Sequence, residues 1–216
     1  MERDLFIAPV RISLTLNWLR KGKMSSRNWR HLCIDMQRMF SEDTPWQVEW
    51  MGAVLPVVCE VVGRFPDKTV FTRFVPPEKS SQASGNWRGY YERWEAMTLA
   101  KLPPEMVEIV EPLRRHIPPA RVFDKSTYSP WTDGRLHSVF SQEEISSIAV
   151  SGGENDVCVL ATVLGAVDLG YHVTVLSDAV CRGANATHDA AITLLRDRFS
   201  MQLDVQTVEQ FLRTAE

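Results

Sequence analysis

Six short apolar runs rich in β-branched residues recur along the chain, and helical stretches separate them. The runs are HLCIDM, TVFTRFV, RVFDKS, SSIAVSGG, HVTVLSDAV and QLDVQTV, which begin at residues 31, 69, 121, 146, 172 and 202. Strands that are apolar on both faces need helices on both sides to cover them. The alternation therefore predicts an α/β fold, a three-layer α-β-α sandwich with a six-stranded, mostly parallel, doubly wound sheet.

Two connecting segments carry predictions of their own. PWQVEWMGAVLPVVCEVVGRF, residues 45–65, predicts a helix that begins at Thr44 and Pro45 and that Pro56 kinks. PPEKSSQASGNWRGYYERW, residues 76–94, mixes turn formers with aromatic residues and arginines and has no clean period. That composition predicts a long functional loop.

The length of 216 residues and the hydrophobic content of 44% fit one globular domain. Met24 is followed by SSRNWRHLCIDMQ, a natural lead-in to the first strand, so we expect a domain over 24–216 and an extension of unknown role over 1–23. The apolar start of that extension is interrupted by Arg11, and no small-residue cleavage site follows it. These features predict neither a signal peptide nor a membrane span.

Charge and cysteine usage limit the environment and the partners. The 24 basic and 27 acidic residues leave a formal charge of -3, so no global field favours nucleic acid or an acidic membrane as a partner. The four cysteines, at positions 33, 59, 158 and 181, form no CxxC pair. We therefore expect reduced thiols and a cytoplasmic protein.

Asp35, Lys125 and Cys158 each lie at or just past the end of a predicted strand, and the carboxyl ends of parallel strands form the ligand edge of such sheets. Cys158 follows a glycine-rich turn and opens a helix, a location that lowers a thiol pKa. Each residue alone has a common structural explanation: a helix-capping aspartate, a surface lysine or a small buried cysteine. Together they supply a proton carrier, a cation and a nucleophile, which suffice for acyl transfer.

Three segments, IDMQRMF, VFDKSTYSPW and SGGENDVCVLATVLGAVDLGYHVTVLSDAV, resemble in order and separation the motif blocks of the isochorismatase-like cysteine hydrolases. This family includes nicotinamidases and N-carbamoyl amidases, and the match spans about Arg30 to Phe199. The resemblance implies a cofactor-free catalytic triad of Asp35, Lys125 and Cys158. It also implies a homodimer or homotetramer.

The resemblance further implies a non-proline cis peptide between Gly153 and Glu154, and an oxyanion hole formed by the backbone amides of Glu154 and Cys158. The chain departs from the family pattern at Asn155, where threonine is usual, and we expect altered tuning of the oxyanion hole rather than its loss. A second departure is the absence of histidine after the second strand, where metal-binding nicotinamidases carry metal ligands. A metal-dependent nicotinamidase is therefore disfavoured, and we expect no metal.

The pocket that surrounds these groups has several candidate walls. Aromatic residues cluster near the strand-end loops, and core packing is expected to account for about half of them: Phe40, Trp46, Phe74, Trp87, Tyr90, Trp94, Tyr128 and Trp131. Arg73 could bind a substrate carboxylate through a bidentate pair. Gln37 could orient the Asp35 carboxylate or contact the substrate.

These features predict a hydrolase that cleaves a C–N bond of a small amide, ureido or N-carbamoyl substrate through a thioester on Cys158. One alternative is an isochorismatase-type vinyl-ether hydrolase, which would not need the cysteine. The other is a non-catalytic binding module on the same fold. Fast alkylation of Cys158 by iodoacetamide at neutral or mildly acidic pH is expected of an enzyme, and an inert thiol of a binding module.

Overall fold

The computed structural model describes residues 28–181 and 185–215, and all six predicted strands are present in one entirely parallel sheet. The strands are β1 Trp29–Ile34, β2 Thr69–Phe74, β3 Arg121–Lys125, β4 Ser147–Gly152, β5 His172–Val180 and β6 Leu203–Gln206. Their order across the sheet is β3-β2-β1-β4-β5-β6. The α/β class and the doubly wound sheet are thus confirmed.

The strand order places a crevice at the centre of the sheet. The chain proceeds outward from β1 through β2 to β3, returns to β4 beside β1, and then proceeds outward in the other direction. Loops leave the carboxyl ends of β1 and β4 in opposite directions at this switch point, which is where open α/β sheets bind ligands. Ile34 and Gly152 are register partners there.

Helices cover both faces of the sheet. The helices are α1 Arg38–Ser41, α2 Met51–Arg64, α3 Trp87–Arg93, α4 Glu111–Arg114, α5 Arg135–Gln142, α6 Leu160–Asp168, α7 Asn185–Arg198 and α8 Val208–Ala215. A π-helical turn, Asn155–Val159, precedes α6, and short 3₁₀ turns span Pro66–Lys68, Ser80–Gln82, Glu95–Met97 and Pro104–Val107. Three layers result.

The alternation of side chains along β1 shows how the core divides. Trp29 and Cys33 pack with α2, α4 and α8 on one face, and Leu32 and Ile34 pack with α5, α6 and α7 on the other. All four side chains are almost fully buried. Burying each large apolar side chain contributes about 1.5–3 kcal/mol, so both faces of this central strand help to stabilise the fold.

The first long helix begins later than the sequence predicts. Thr44 donates its hydroxyl to the Met39 carbonyl at 2.6 Å and accepts the Trp46 backbone N–H at 3.1 Å, which holds the start of the segment in a turn. The helix begins at Met51 and continues through Pro56 to Arg64 as one element. Pro56 deprives the Gly52 carbonyl of its helical partner, but Gly52 is exposed, so water can satisfy this carbonyl.

Residues 76–94 are more ordered than a long loop. The 3₁₀ turn Ser80–Gln82 and the helix α3 both lie in this segment. Tyr91 of α3 is buried with Phe74 and Met97 in a third apolar cluster above the end of β2. Aromatic packing against the end of β2, rather than helical periodicity, explains why this segment is structured.

The predicted extension over 1–23 lies outside the described residues. None of the helices within 28–181 and 185–215 combines the length and the apolar character that crossing a bilayer requires.

Candidate active site

Asp35 follows β1 and is held on both carboxylate oxygens. Its backbone adopts a positive φ of 49°, and its amide donates to the Thr72 carbonyl at 3.2 Å. Thr72 donates its hydroxyl to Oδ1 at 2.6 Å, and Lys125 donates to Oδ2 at 2.7 Å. The buried carboxylate is therefore oriented by one neutral donor and one cation.

Lys125 is the last residue of β3, and its side chain is only 2% exposed. Nζ also donates to the Thr127 carbonyl at 3.1 Å and lies 5.1 Å from the centroid of the Phe74 ring. Burial by itself lowers the pKa of Lys125, but the charges of Asp35 and Cys158 more than offset this, and the net pKa is raised. The ammonium is therefore charged at neutral pH.

Cys158 lies in the π-helical turn after β4, close enough to both Asp35 and Lys125 for their charges to act on its thiol. Burial raises the pKa of its thiol, the Asp35 charge raises this pKa further, and Lys125 opposes both effects. The net pKa of the thiol is therefore raised, whereas the sequence predicted a lowered one. Desolvation of a thiolate outweighs the partial charge of a helix end when the sulfur is almost sealed from water.

The three groups meet because β1 and β4 are neighbours and β2 links β1 to β3. At the end of β4, Gly152 has φ 103°, and a side chain there would collide with the backbone of Ile34. Gly153 donates its amide to the Ile34 carbonyl at 2.9 Å. The Gly153–Glu154 peptide is cis, as the family resemblance implies.

The thiol faces a cavity of about 300 Å³ at this edge of the sheet. Its walls are Phe40, Pro45, Trp46, Gln47, Val48, Phe74, Tyr90, Tyr128, Gly153, Glu154, Val157 and Cys158. Phe40, Phe74 and Tyr128 therefore lie where a substrate contact was predicted. Tyr90 of α3 and Tyr128 of the loop after β3 both belong to these walls.

Sequence reasoning identified Trp46 as a candidate wall but missed Thr72 and the neighbouring wall residues Pro45, Gln47 and Val48. Thr72 interrupts the apolar run TVFTRFV, and β2 pairs with β1, so this polar residue was a signal that something at the end of β1 needed a partner. Residues 45–48 had been assigned to a helix.

Gln37 is not among the cavity walls, where a substrate contact would lie. Its side chain is fully buried, and its Nε2 donates to the carbonyls of Phe74 and Val107 at 2.9 and 2.8 Å. Its Oε1 accepts the Phe74 backbone N–H at 2.7 Å. The side-chain amide connects the end of β2 to the turn Pro104–Val107, and it makes no hydrogen bond to the Asp35 carboxylate.

Replacing Gln37 with leucine should therefore reduce stability. The substitution leaves three buried backbone groups without partners, each of which costs roughly 1–3 kcal/mol, so we expect a loss of about 3 kcal/mol or more in the free energy of unfolding. Urea denaturation measures this loss. Gln47→Leu is the control, because Gln47 is exposed and makes one long hydrogen bond of 3.5 Å. Equal stability of the two variants would contradict the stabilising role of the Gln37 side-chain hydrogen bonds.

Arg73 and Trp131 are also placed away from the cavity. Arg73 forms a bidentate pair with Asp124 at 2.7 and 2.9 Å and a third bond to Glu108 at 2.9 Å, so its guanidinium is already engaged. Trp131 is buried in the core, where its indole N–H donates to the Thr162 carbonyl at 2.8 Å. Its ring lies so close to Gly165 that a side chain there would clash with it. Neither residue agrees with its predicted role as a substrate contact.

No group of three or more histidine, cysteine, aspartate or glutamate side chains within 28–181 and 185–215 is arranged to hold a metal ion. His31 is bonded to Thr69 and Ser151, and burial lowers the pKa of His31 to about 3, so this histidine is structural and neutral. His188 bonds to Asn155, the residue that departs from the family pattern, at 3.1 Å. The expectation of no metal stays a prediction.

The arrangement places a thiol at the cavity wall, with a buried carboxylate and a buried ammonium beside it. Asp35 is the carboxylate whose charge acts on the Cys158 thiol, so it can accept the thiol proton. Lys125, which is bonded to Asp35, can then stabilise the thiolate that forms, because its positive charge lowers the pKa of the thiol. These groups suit attack on a carbonyl carbon.

Comparison with known proteins agrees with the fold and the motifs. A model of the isochorismatase domain matches residues 31–207. Isochorismatase family protein 1A of Dictyostelium discoideum is 38% identical over 81 residues, which cover 37% of this chain and 38% of that protein. The match therefore spans little more than a third of this relative.

Two solved structures share the architecture. The cysteine hydrolase from Pseudomonas syringae pv. phaseolicola 1448A has a TM-score of 0.75 at 21% identity, over 87% of this chain and 92% of that one. The N-carbamoylsarcosine amidase from Thermoplasma acidophilum has a TM-score of 0.66 at 16% identity, over 84% of this chain and 97% of that one. At such identities the likeness shows the fold.

Proposed function

The chain belongs to the isochorismatase family of hydrolases, and we propose that within this family it is a cysteine-dependent amidohydrolase that acts on small amide, ureido or N-carbamoyl compounds. The observation that carries the proposal is the position of the Cys158 thiol at the wall of a cavity, beside the buried ion pair of Asp35 and Lys125, whose charges act on it. A vinyl-ether hydrolase or a binding module would not need this arrangement.

The first half of the reaction forms a thioester. The Cys158 thiol transfers its proton to Asp35 as sulfur bonds to the carbonyl carbon, and Lys125 stabilises the developing thiolate. Asp35 then returns this proton to the leaving nitrogen as the C–N bond breaks. Ammonia or an amine leaves, and the acyl group stays on sulfur.

The second half regenerates the thiol. Asp35, ionised again, accepts a proton from water as the water oxygen attacks the thioester carbonyl. The C–S bond then breaks, sulfur takes the proton back, and the acid product leaves. The cycle uses no cofactor.

The backbone amides of Glu154 and Cys158 are the proposed donors to the oxyanion that both steps produce. Both residues line the cavity. Within the described part of the chain, the Glu154 N–H donates to no other backbone group, which leaves it available for a substrate oxygen.

The proposal is tested by ammonia release from a panel of primary amides, ureides and N-carbamoyl compounds. Intact-mass spectrometry of the rapidly quenched protein is the second readout, and we expect a mass increase equal to the acyl group on Cys158. Ammonia release without an acyl-enzyme on any substrate would point to direct attack by water. Absence of both signals across the panel would contradict the amidohydrolase.

The raised pKa of the Cys158 thiol makes a prediction about alkylation, which replaces the expectation of fast labelling. Iodoacetamide should modify the wild-type thiol slowly at neutral pH and faster as the pH rises. Because the Asp35 charge raises the pKa of Cys158 and Lys125 lowers it, Asp35→Asn should speed alkylation by roughly tenfold, even though it impairs turnover.

Stopped-time mass spectrometry of Cys158 labelling checks this prediction. Asp43→Asn, which removes an exposed carboxylate of the loop before α2, is the control and should label at the wild-type rate. Slower labelling of Asp35→Asn than of wild type would contradict the assigned contact between the two side chains.

The cytoplasmic location and the homodimer or homotetramer stay predictions, which fractionation and light scattering can test.

A further inference from the structure

The ionisable groups that the described chain contributes to the cavity walls are acidic, and none of them is basic. They are Glu154, Cys158, Tyr90 and Tyr128, and no lysine, arginine or histidine of the described chain is among the walls. Lys125 lies behind the thiol and is bonded to Asp35 and the Thr127 carbonyl. A substrate carboxylate would therefore find no counter-ion in these walls.

Glu154 is the carboxylate of this cavity. No hydrogen-bond donor or cation within 28–181 and 185–215 pairs with its side chain, although the residue is about half buried. Burial raises the pKa of Glu154, and the nearby Asp156 charge raises it further, because both disfavour the ionised carboxylate. The Glu154 charge also contributes to raising the pKa of Tyr90, another residue of the cavity wall.

Five of the remaining walls are aromatic residues, Phe40, Trp46, Phe74, Tyr90 and Tyr128. Trp46 lies at the centre of this group, stacked with Phe40 at 6.2 Å and in contact with Phe74 and Tyr90 at ring-centroid distances of 6.0 and 5.8 Å. Tyr128 closes the group from the loop after β3. The faces of such rings attract cations, most strongly where water is excluded.

We infer that the substrate is a small cationic amide, which carries a quaternary ammonium or protonated amine close to the scissile carbonyl. The aromatic walls and the Glu154 carboxylate hold the cation, while Cys158 attacks the carbonyl. The inference rests on the proposed amidohydrolase function for the chemistry, but the cation site is a property of the cavity walls. A cavity of about 300 Å³ restricts the substrate to small molecules. N-carbamoyl amino acids, which are anionic, are excluded.

Three probes separate charge from shape. 2-(Trimethylammonio)acetamide is cationic, 3,3-dimethylbutanamide has the same shape with carbon in place of nitrogen, and succinamate is anionic. Binding to the Cys158→Ala protein is measured by titration of tryptophan fluorescence, because Trp46 lies in the cavity wall. We expect the cationic probe to bind about tenfold more tightly than its neutral isostere, and succinamate most weakly.

Variants then assign the preference to Glu154. Glu154→Gln, added to Cys158→Ala, should reduce the preference for the cation over the isostere to about threefold or less, while the backbone amide is kept. Glu60→Gln removes an exposed carboxylate of α2 outside the cavity and should leave the preference as it was. Equal binding of the three probes, tighter binding of succinamate, or no binding of any probe would overturn the inference.

Turnover by the wild-type protein distinguishes failure of the cationic-substrate inference from failure of the proposed amidohydrolase function. Ammonia released from the neutral or anionic probe at equal or higher kcat/KM would overturn the substrate class and leave the amidohydrolase in place. Cation-selective binding without ammonia from any probe or from the wider panel would contradict the amidohydrolase and support the cation site.

Discussion

Replacing Cys158 with alanine should lower kcat/KM for any amide substrate by about 10⁴-fold or more. Groups that act as one nucleophilic unit lose nearly all of their rate enhancement when the nucleophile is removed. The substitution leaves the ion pair between Asp35 and Lys125 in place. It removes only the sulfur atom of Cys158, a residue that is 7% exposed at the cavity wall. The fold should therefore persist, and circular dichroism with a thermal melt should resemble that of the wild type.

The matched control for this variant is Cys59→Ala. Cys59 is a half-buried thiol of α2 that packs against the core and lines no part of the cavity. Its removal should leave kcat/KM within about twofold of the wild type. If Cys158→Ala keeps more than a few per cent of the wild-type rate, the thioester mechanism is wrong, and direct attack by water or a vinyl-ether reaction would be the next mechanism to test.

Replacing Lys125 with methionine should reduce both stability and activity. It leaves the buried Asp35 carboxylate with Thr72 as its remaining side-chain donor, and an uncompensated buried charge costs about 3–5 kcal/mol. Adding Asp35→Asn to this variant removes the charge, so the double variant should regain much of the lost free energy of unfolding. Neither variant should turn over substrate, because the cation and the proton carrier are needed together.

Urea denaturation and ammonia assays on the wild type, both single variants and the double variant separate the two effects. Arg213→Met breaks an exposed ion pair with Glu209 and should change the stability by less than about 1 kcal/mol. Because the pKa of Lys125 is raised on folding, its contribution is fully present below its usual pKa of 10.5 and is lost as pH rises through the higher folded value. A Lys125→Met protein as stable as wild type at neutral pH would contradict the buried pair.

The strand pattern predicted more of the site than any single residue did. Asp35, Lys125 and Cys158 each have a plain structural explanation, but parallel strands carry their carboxyl ends to one edge of the sheet. The order β3-β2-β1-β4 then brings these three ends together. Because this convergence follows from topology, apolar periodicity and motif order were sufficient to predict it.

The errors concern where a side chain points and what it meets. Gln37 and Arg73 flank proposed catalytic or cavity residues in sequence, yet the first is fully bonded to backbone groups and the second to two carboxylates. Trp131 has the aromatic character of a pocket wall, but a glycine on α6 opens space for it in the core. These partners come from distant segments, and local sequence does not identify them.

Cys158 shows which properties follow from the sequence and which depend on the tertiary structure. The sequence by itself determined the doubly wound fold and the placement of a cysteine at the start of a helix beside an aspartate and a lysine, because periodicity and motif order decide which segments become strands and where they end. Only the tertiary structure decided how far the sulfur is removed from water, and this desolvation controls the thiol pKa. It likewise decided that the cavity presents aromatic rings and, within the described residues, one unpaired carboxylate, because five separate segments, 40–48, 74, 90, 128 and 153–158, meet there.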